Sequence, residues 1–375
     1  METMEIRLDM LEFYRGKKVF VTGHTGFKGS WLCRLLLNAG AKVSGYSMEP
    51  DKESLFNTLN LDKEIESYAG DIKNIDFLCD VVSKVRPDIV FHLAAQPLVL
   101  QSYADPVGTF STNIMGTVHI LEAVRRCNSV RSTVNVTTDK VYENKEFLWA
   151  YRENENLCGI DPYSNSKSCS ELVTFSYRNS FFHSIESQAI STARSGNVIG
   201  GGDFSANRII PDCFRAASKG KAIMVRSPQS VRPYQHVLDC LDGYLLLAKK
   251  QYEEKERYEG SYNFGPSDEN CLTTGELVDQ FCHYWGDQLS WFTQGDSVHH
   301  EATYLKIDSM KARTILKWKQ KWTITEAVEK TTDWYKNFLN EGGNVATYTD
   351  TQISDYYGSV TKNVSGLENS NSSFG

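Results

Sequence analysis

The segment KKVFVTGHTGFKGSWLCRLLLNAG, residues 17–40, places glycines at 23, 26 and 29 between a run of apolar β-formers and an amphipathic stretch. A buried strand that ends on glycine, turns tightly and enters a helix is the opening of a parallel βαβ unit. Gly23 permits the turn, Gly26 lets the backbone approach a pyrophosphate, and Gly29 allows the helix to pack closely. The first turn of that helix then offers free amides and a positive dipole end to a phosphate. A plain turn is the alternative reading. Its position directly after the first buried strand favours a dinucleotide site instead.

The rhythm continues past this loop. KKVFVTG (17–23), AKVSGYS (41–47), IESYAGD (65–71), DIVFHLAA (88–95) and STVNVTT (132–138) read as strands, with helical GSWLCRLLLNAG (29–40), IDFLCDVVSKV (75–85) and DPVGTFSTNIMGTVHILEAVRR (105–126) between them. Near-continuous apolar runs are expected of strands covered on both faces, so the sheet should be parallel and doubly wound. After residue 200 the pattern breaks into short mixed pieces. The fold class is therefore α/β: a doubly wound parallel Rossmann sheet with a smaller mixed α/β C-terminal lobe. The expected division is a dinucleotide-binding domain over 16–196, to which later elements also contribute, and a lobe that mainly binds substrate over 197–341. A polar tail over 342–375 follows, its closing KNVSGLENSNSSFG too poor in apolar side chains to order itself.

Charge narrows the partners. With 40 basic and 47 acidic residues the net charge is −7, and no Lys/Arg cluster offers a footprint for nucleic acid or an anionic membrane. The nine cysteines have no CxxC spacing and are odd in number, which argues for reduced thiols rather than a disulfide framework, and no metal site is expected. The N-terminal residues lack a signal-peptide core, and no apolar run approaches the roughly 20 residues of a membrane span. A cytoplasmic protein with a small-molecule partner is the expectation.

The second strand ends in GYSMEP with no acid at its tip. Ser47 is then the candidate for a ribose hydroxyl, with Glu49 further along the loop. No arginine clusters there to hold a 2′-phosphate, so NAD is favoured over NADP. Asp71, closing the third strand, is placed to meet the adenine amino group or to cap a turn. Two further segments carry chemistry. TTDKVYEN (137–144) sets Asp139 beside Lys140 at a strand end, which in isolation is an ordinary solvated pair. DPYSNSK (161–167) gives Asp161 as N-cap, Pro162 at the first helical position, and Tyr163 and Lys167 four apart on one helix face. A lysine beside a tyrosine favours phenolate, a base able to deprotonate an alcohol as a hydride leaves for nicotinamide.

Taken with TGHTGFKGSWL, HLAAQPLV, TTDKVYENKE, YRENE, GNVIGGGDF and RPYQHVLDCLDGYL, these segments make the chain resemble the extended short-chain dehydrogenase/reductase family of nucleotide-sugar enzymes from about residue 16 to 340. The Asp-Lys pair resembles the CDP-glucose branch of its 4,6-dehydratases, most of whose relatives carry Asp-Glu there. Leu100 and Ser195 depart from the family pattern, which has arginine and alanine at these places.

The resemblance implies that Tyr163 takes the sugar O4 proton, helped by Lys167, while Thr138 orients the sugar. Lys140 would remove the C5 proton and Asp139 would protonate the departing O6. It implies cofactor contacts from Gly23, Thr25, Gly26, Phe27, Lys28 and Gly29, from Ser47, Asp71 and Ile72, and from Leu93, Ala94 and Ala95. Gln96 would lie beside the hexose. Asn197 and Arg232, with Arg208, would hold the diphosphate, the segment near Val225 would recognise the pyrimidine, and His236 would touch a ribose or phosphate or be structural. A homodimer through the DPVGTFSTN and DPYSNSK helices, or a tetramer, is implied too. Two alternatives stay open: a dehydratase or epimerase for another base or sugar, and a catalytically silent NAD-binding sensor.

Overall fold

The computed structural model describes residues 2–183, 188–286, 288–293, 303–340 and 343–358. Seven strands form one wholly parallel sheet: β1 (Lys18–Thr22), β2 (Lys42–Ser47), β3 (Glu66–Ala69), β4 (Ile89–His92), β5 (Ser132–Val136), β6 (Ala189–Ser195) and β7 (Ser261–Phe264). Their spatial order is β7-β6-β5-β4-β1-β2-β3. The order reverses between β1 and β4, and in such sheets ligands bind in the crevice beyond the strand ends at that reversal. β1, β4, β5 and β6 are buried along almost their whole length, as their apolar sequences predict. β3 departs from the expectation of strands covered on both faces. As the sheet edge it is largely exposed, which its Glu-Ser-Tyr-Ala sequence tolerates.

Helix α1 (Glu2–Tyr14) was not anticipated by the sequence pattern. Met10, Leu11 and Tyr14 bury its inner face, and the Tyr14 hydroxyl donates to the Leu245 carbonyl at 2.8 Å. Helix α2 (Phe27–Asn38) begins directly after the glycine loop, with Gly26 as its N-cap. Helix α3 (Pro162–Tyr177) opens as the Asp-Pro pair predicts, the Asp161 carboxylate accepting from the Ser164 amide at 3.0 Å. The expected long helix over 105–126 forms, with a π-helical turn at Ser111–Met115. Helix α4 (Val237–Glu253) is buried over most of its length and packs on β5 and β6.

The C-terminal pieces build around two-residue strand pairs. Ile223–Met224 pairs with Trp291–Phe292, and Val231–Arg232 with Leu272–Thr273. Capping boxes start the helices there: Thr273 with Glu276, and Thr323 with Glu326 at the head of α5 (Ile324–Leu339).

Reading the chain from Gly342 as a polar tail places the tail's start too early, because Val345–Tyr357 forms helix α6. Its Thr, Asp and Ser residues are poor helix formers by a few tenths of a kcal/mol each. Burial of Ile353, Tyr356 and Tyr357 contributes about 1.5–3 kcal/mol for each side chain of this size and outweighs them. Asp350 adds a two-pronged pair with Arg34, at 2.7 and 2.5 Å. The closing KNVSGLENSNSSFG lies outside the described residues.

The glycine loop is the tightest point of the sheet. Gly23 sits at φ +73°, and a Cβ there would lie 2.7 Å from the Ala94 amide nitrogen at the end of β4. A Cβ at Gly29 would lie 2.2 Å from the Gly23 carbonyl oxygen. Gly23→Ala should therefore combine backbone strain with a backbone clash and destabilise by about 2 kcal/mol or more. A urea midpoint unchanged from the parent would refute this reading of the loop.

Candidate active site

The C-terminal ends of β1, β4, β5 and β6 converge on one cleft. From β1 come Gly23, Thr25, Gly26, Phe27, Lys28 and Gly29. Thr25 Oγ1 lies 2.8 Å from Ser47 Oγ at the end of β2, so these two hydroxyls share one edge of the loop. From β4 come Leu93, Ala94 and Ala95, with the Leu93 amide donating to Thr22 O and the Ala94 amide to Thr22 Oγ1 at 3.1 and 3.3 Å. Asp71 caps its own turn by accepting from the Lys73 amide at 2.9 Å, and its half-exposed carboxylate also pairs with Lys73 Nζ at 3.3 Å. Ile72 is buried against Gly116. The missing Cβ atoms at Gly23 and Gly29, together with the open first turn of α2, make a cradle that fits a dinucleotide pyrophosphate.

β5 leads into the Asp139–Lys140 pair. Beyond Val136 the chain runs through Thr137 into a tight turn at Asp139–Val141, capped by Thr138. The Asp139 side chain is only 1% exposed. Its Oδ1 accepts from Thr138 Oγ1 at 2.9 Å and from Lys140 Nζ at 3.2 Å, whereas its buried Oδ2 has no hydrogen-bond partner among the described residues. Lys140 Nζ also donates to Asn197 Oδ1 at 3.4 Å. The pair is thus built into the cleft wall and is not a solvated strand-end pair.

Helix α3 brings Tyr163 and Lys167 beneath them, both buried. Lys167 Nζ donates to the Val136 carbonyl at 3.1 Å, which ties α3 to the end of β5. Burial lowers the Lys167 ammonium to about 8, and the positive charge of Lys28 adds to the effect. The Tyr163 phenol behaves otherwise than expected. Burial pushes it up to about 12, which outweighs the lowering influence of the neighbouring Thr138 hydroxyl, and Asp139 raises it further. His92, buried and close to Lys167, is lowered to about 3 and is neutral; its Nδ1 lies 2.7 Å from Thr22 Oγ1.

The residues expected at the substrate divide. Asn197 faces Lys140, and Arg208, about one-third exposed, pairs with Asp203 at 2.9 Å within electrostatic reach of Tyr163. Arg232 is buried and donates to the Val231 carbonyl at 2.9 Å. The Val225 amide is committed to Phe292 O at 2.9 Å. Gln96 turns away from the role of a hexose ligand: its side chain bonds Leu98 N and O and Thr109 Oγ1, stapling the loop after β4 to the following helix. Of the two readings left open for His236, the structure favours the structural one: it is fully buried between Trp31 and Trp322, and its Nδ1 accepts from the Leu238 amide at 3.2 Å, so it caps α4.

Sequence reading missed the support below the site. Glu171, four residues after Lys167 on α3, accepts from Arg194 Nε and Nη2 at 2.9 and 2.8 Å, from Thr192 Oγ1 at 2.7 Å, and from Thr137 Oγ1. Arg194 continues to the Tyr142 hydroxyl at 2.8 Å. Burial alone would raise the Glu171 carboxyl, but Arg194 and the two threonines hold it below its usual value. The available signal was the i,i+4 spacing that puts Glu171 on the same face as Lys167.

The chain matches the family model described as GDP-mannose 4,6 dehydratase over residues 20–331. It is 44% identical over 355 residues to a CDP-glucose 4,6-dehydratase of Salmonella typhimurium, covering 93% of this chain and 99% of that protein. Among solved structures, it resembles a UDP-glucuronic acid 4-epimerase from Bacillus cereus in complex with UDP-glucuronic acid and NAD. The TM-score is 0.74 at 23% identity, over 86% of this chain and 100% of that one. A dTDP-glucose 4,6-dehydratase from Bacillus anthracis in complex with NAD gives 0.71 at 22%, over 87% and 98% of the two chains. At these identities the two structures share its fold.

The Glu171–Arg194 pair has side chains only 2% exposed on both sides. Removing one partner leaves a buried unpaired charge, so Arg194→Met should lower stability by about 3–5 kcal/mol, and adding Glu171→Gln should restore part of the loss. Equilibrium urea unfolding reads both. A single variant within about 1 kcal/mol of the parent would show that the pair does not organise the site.

Proposed function

Because the chain belongs to the GDP-mannose 4,6 dehydratase family of extended short-chain dehydrogenase/reductases, we propose that it removes water across C5 and C6 of a nucleotide-activated hexose, CDP-D-glucose, to give CDP-4-keto-6-deoxy-D-glucose. The observation that carries the reading is the buried Asp139–Lys140 pair with one carboxylate oxygen left without a protein partner, set beside Tyr163. Simple inversion at C4 needs no such pair.

NAD, held by the loop from Gly23 to Gly29 with Ser47 and Asp71, supplies a reversible oxidant for C4 that is regenerated within each turnover. Tyr163 takes the O4 proton, and Thr138, bonded to the same phenol, orients the sugar. A phenol pushed up to about 12 is a poor base on its own. Deprotonation would therefore be coupled to oxidation at C4, with the Arg208 charge favouring phenolate and Lys167 supporting the phenol from one turn along α3. The resulting 4-keto group acidifies C5. Lys140, in its neutral form, accepts the C5 proton, and Asp139, in its protonated form, gives its proton to the departing O6 from the oxygen that has no protein partner. Asn197 and Arg232, with Arg208, take the diphosphate, and the pyrimidine packs on the Ile223–Val225 segment. On this reading the division near residue 197 separates mainly cofactor-binding from mainly substrate-binding parts.

A homodimer through the helices that begin at Asp105 and Asp161 is part of the same proposal. Tyr103, Val107, Leu172 and Phe175 are large apolar side chains exposed on or beside those helices. No helix among the described residues is long and apolar enough to cross a membrane, which fits the proposed cytoplasmic setting.

A panel of CDP-, dTDP-, GDP- and UDP-hexoses tests the substrate. CDP-glucose should give a 4-keto-6-deoxy product with NAD needed only in catalytic amount. Stoichiometric accumulation of reduced cofactor would overturn the dehydratase reading. Tyr163→Phe should lower turnover by about 10²–10⁴-fold with little change in nucleotide affinity. Lys140→Met should stop solvent deuterium entering C5, while Asp139→Asn should permit that exchange but slow loss of water. Wild-type exchange in Lys140→Met would remove Lys140 from the role of base.

A further inference from the structure

Three consecutive residues leave the end of β6 and each meets a different charged group of the cleft. Ser195 Oγ accepts from Lys28 Nζ at 3.1 Å and lies 2.5 Å from the Tyr244 hydroxyl on α4. At Gly196 a Cβ would stand 3.1 Å from Asp139 Oδ2 and 2.5 Å from Pro233 Cγ. Asn197 Oδ1 accepts from Lys140 Nζ. The far side of this segment is fixed by the Gln235 amide, which donates to the Asn197 carbonyl at 3.1 Å, and by the short strand pair that follows.

Its near side depends on Lys28. A loop lysine that served only a phosphate would point its ammonium out of the loop toward the anion. Here the ammonium turns inward to Ser195, with the Tyr244 ring centroid 6.0 Å away. Burial depresses this ammonium, and Arg208 adds to the effect; Asp139 and Lys140 are both within its electrostatic reach.

We propose that Lys28 is a positioning residue for the elimination step: fixed by Ser195 and Tyr244, it braces the Ser195–Gly196–Asn197 segment that sets where the Asp139 and Lys140 side chains stand. The inference rests on the dehydratase reading above and deepens it. It also links the two halves of the site, because the loop that takes the cofactor is the loop that holds the brace. Gly196 spares Asp139 Oδ2 the crowding that a Cβ would bring, and Asn197 shares the Lys140 amine with Asp139.

The test compares Lys28→Met, Ser195→Ala and the double variant, all in the full chain. Three quantities are read: NAD retained per chain, deuterium entering C5 from solvent, and the ratio of 4-keto hexose to 4-keto-6-deoxy hexose after quenching. Each single variant should lower C5 exchange about tenfold, the size of a contact coupling, and raise the share of undehydrated 4-keto hexose. The double should be no worse than the worse single, since both remove one brace. A merely structural role would slow oxidation and elimination in parallel and leave the ratio unchanged, which overturns the proposal. So would loss of NAD from Lys28→Met with Ser195→Ala behaving as wild type, for then Lys28 serves only the cofactor. Failure of the dehydratase reading is seen separately, in the wild-type protein forming no 4-keto-6-deoxy product.

Discussion

One buried carboxylate joins the three elements on which the site stands. Glu171 belongs to the helix that carries Tyr163 and Lys167; it receives Thr137 from the end of β5, just before Asp139 and Lys140, and Thr192 and Arg194 from β6, just before Ser195 and Asn197. A charge taken out of water is tolerated only when its lone pairs are satisfied, so displacement of any one strand end leaves Glu171 short of a partner. The relative placement of Tyr163, Asp139, Lys140 and the β6 segment is thereby held from below by buried side chains. Lys167 adds a second tie, from the same helix to the Val136 carbonyl.

Above that foundation the cleft is short of compensation. Asp139 keeps one buried oxygen without a protein partner, Tyr163 is pushed up by burial, and Lys167 and Lys28 are pushed down. All three shifts have burial as their first cause, and all disfavour charge. Burial thereby favours the neutral phenol of Tyr163 and draws the Lys167 and Lys28 ammonium groups toward their neutral amines. Asymmetry comes from position. Asp139 is buried with Gly196 beside its Oδ2, whereas the Lys140 side chain remains partly exposed and is held between Asp139 and Asn197.

The fold was legible because its information is local. Apolar runs ending on glycine, Asp-Pro at a helix start and an i,i+4 Tyr/Lys pair each fit within a few residues, and the five strands read from the sequence lie within three residues of where it suggests. What was not legible depends on partners distant in the chain. Helix α6 forms because Arg34 and the core receive it, 316 residues from Asp350 in the case of that pair. His236 stays open between a ligand and a structural residue until Trp31 and Trp322 close around it. Gln96 follows HLAA and so belongs to the site by sequence, yet Thr109 and Leu98 take up its amide. The rise of the Tyr163 phenol was missed for the same reason: spacing shows that a lysine is near, and only packing shows how much water has been removed.

The departure at Ser195 shows how one atom can alter the work of a conserved-looking loop. An alanine there has no acceptor for Lys28, and an ammonium without that acceptor returns to the open cradle, where a phosphate is its natural partner. With the hydroxyl present, Lys28 is drawn to the wall between cofactor and acid/base pair, and Tyr244 and the Cys240 thiol complete its surroundings. A glycine loop ordinarily acts through backbone amides alone. Here it also projects a side-chain cation 167 residues along the chain to the end of β6, so that loop closure around a dinucleotide and the stance of Asp139 and Lys140 become parts of one mechanical unit.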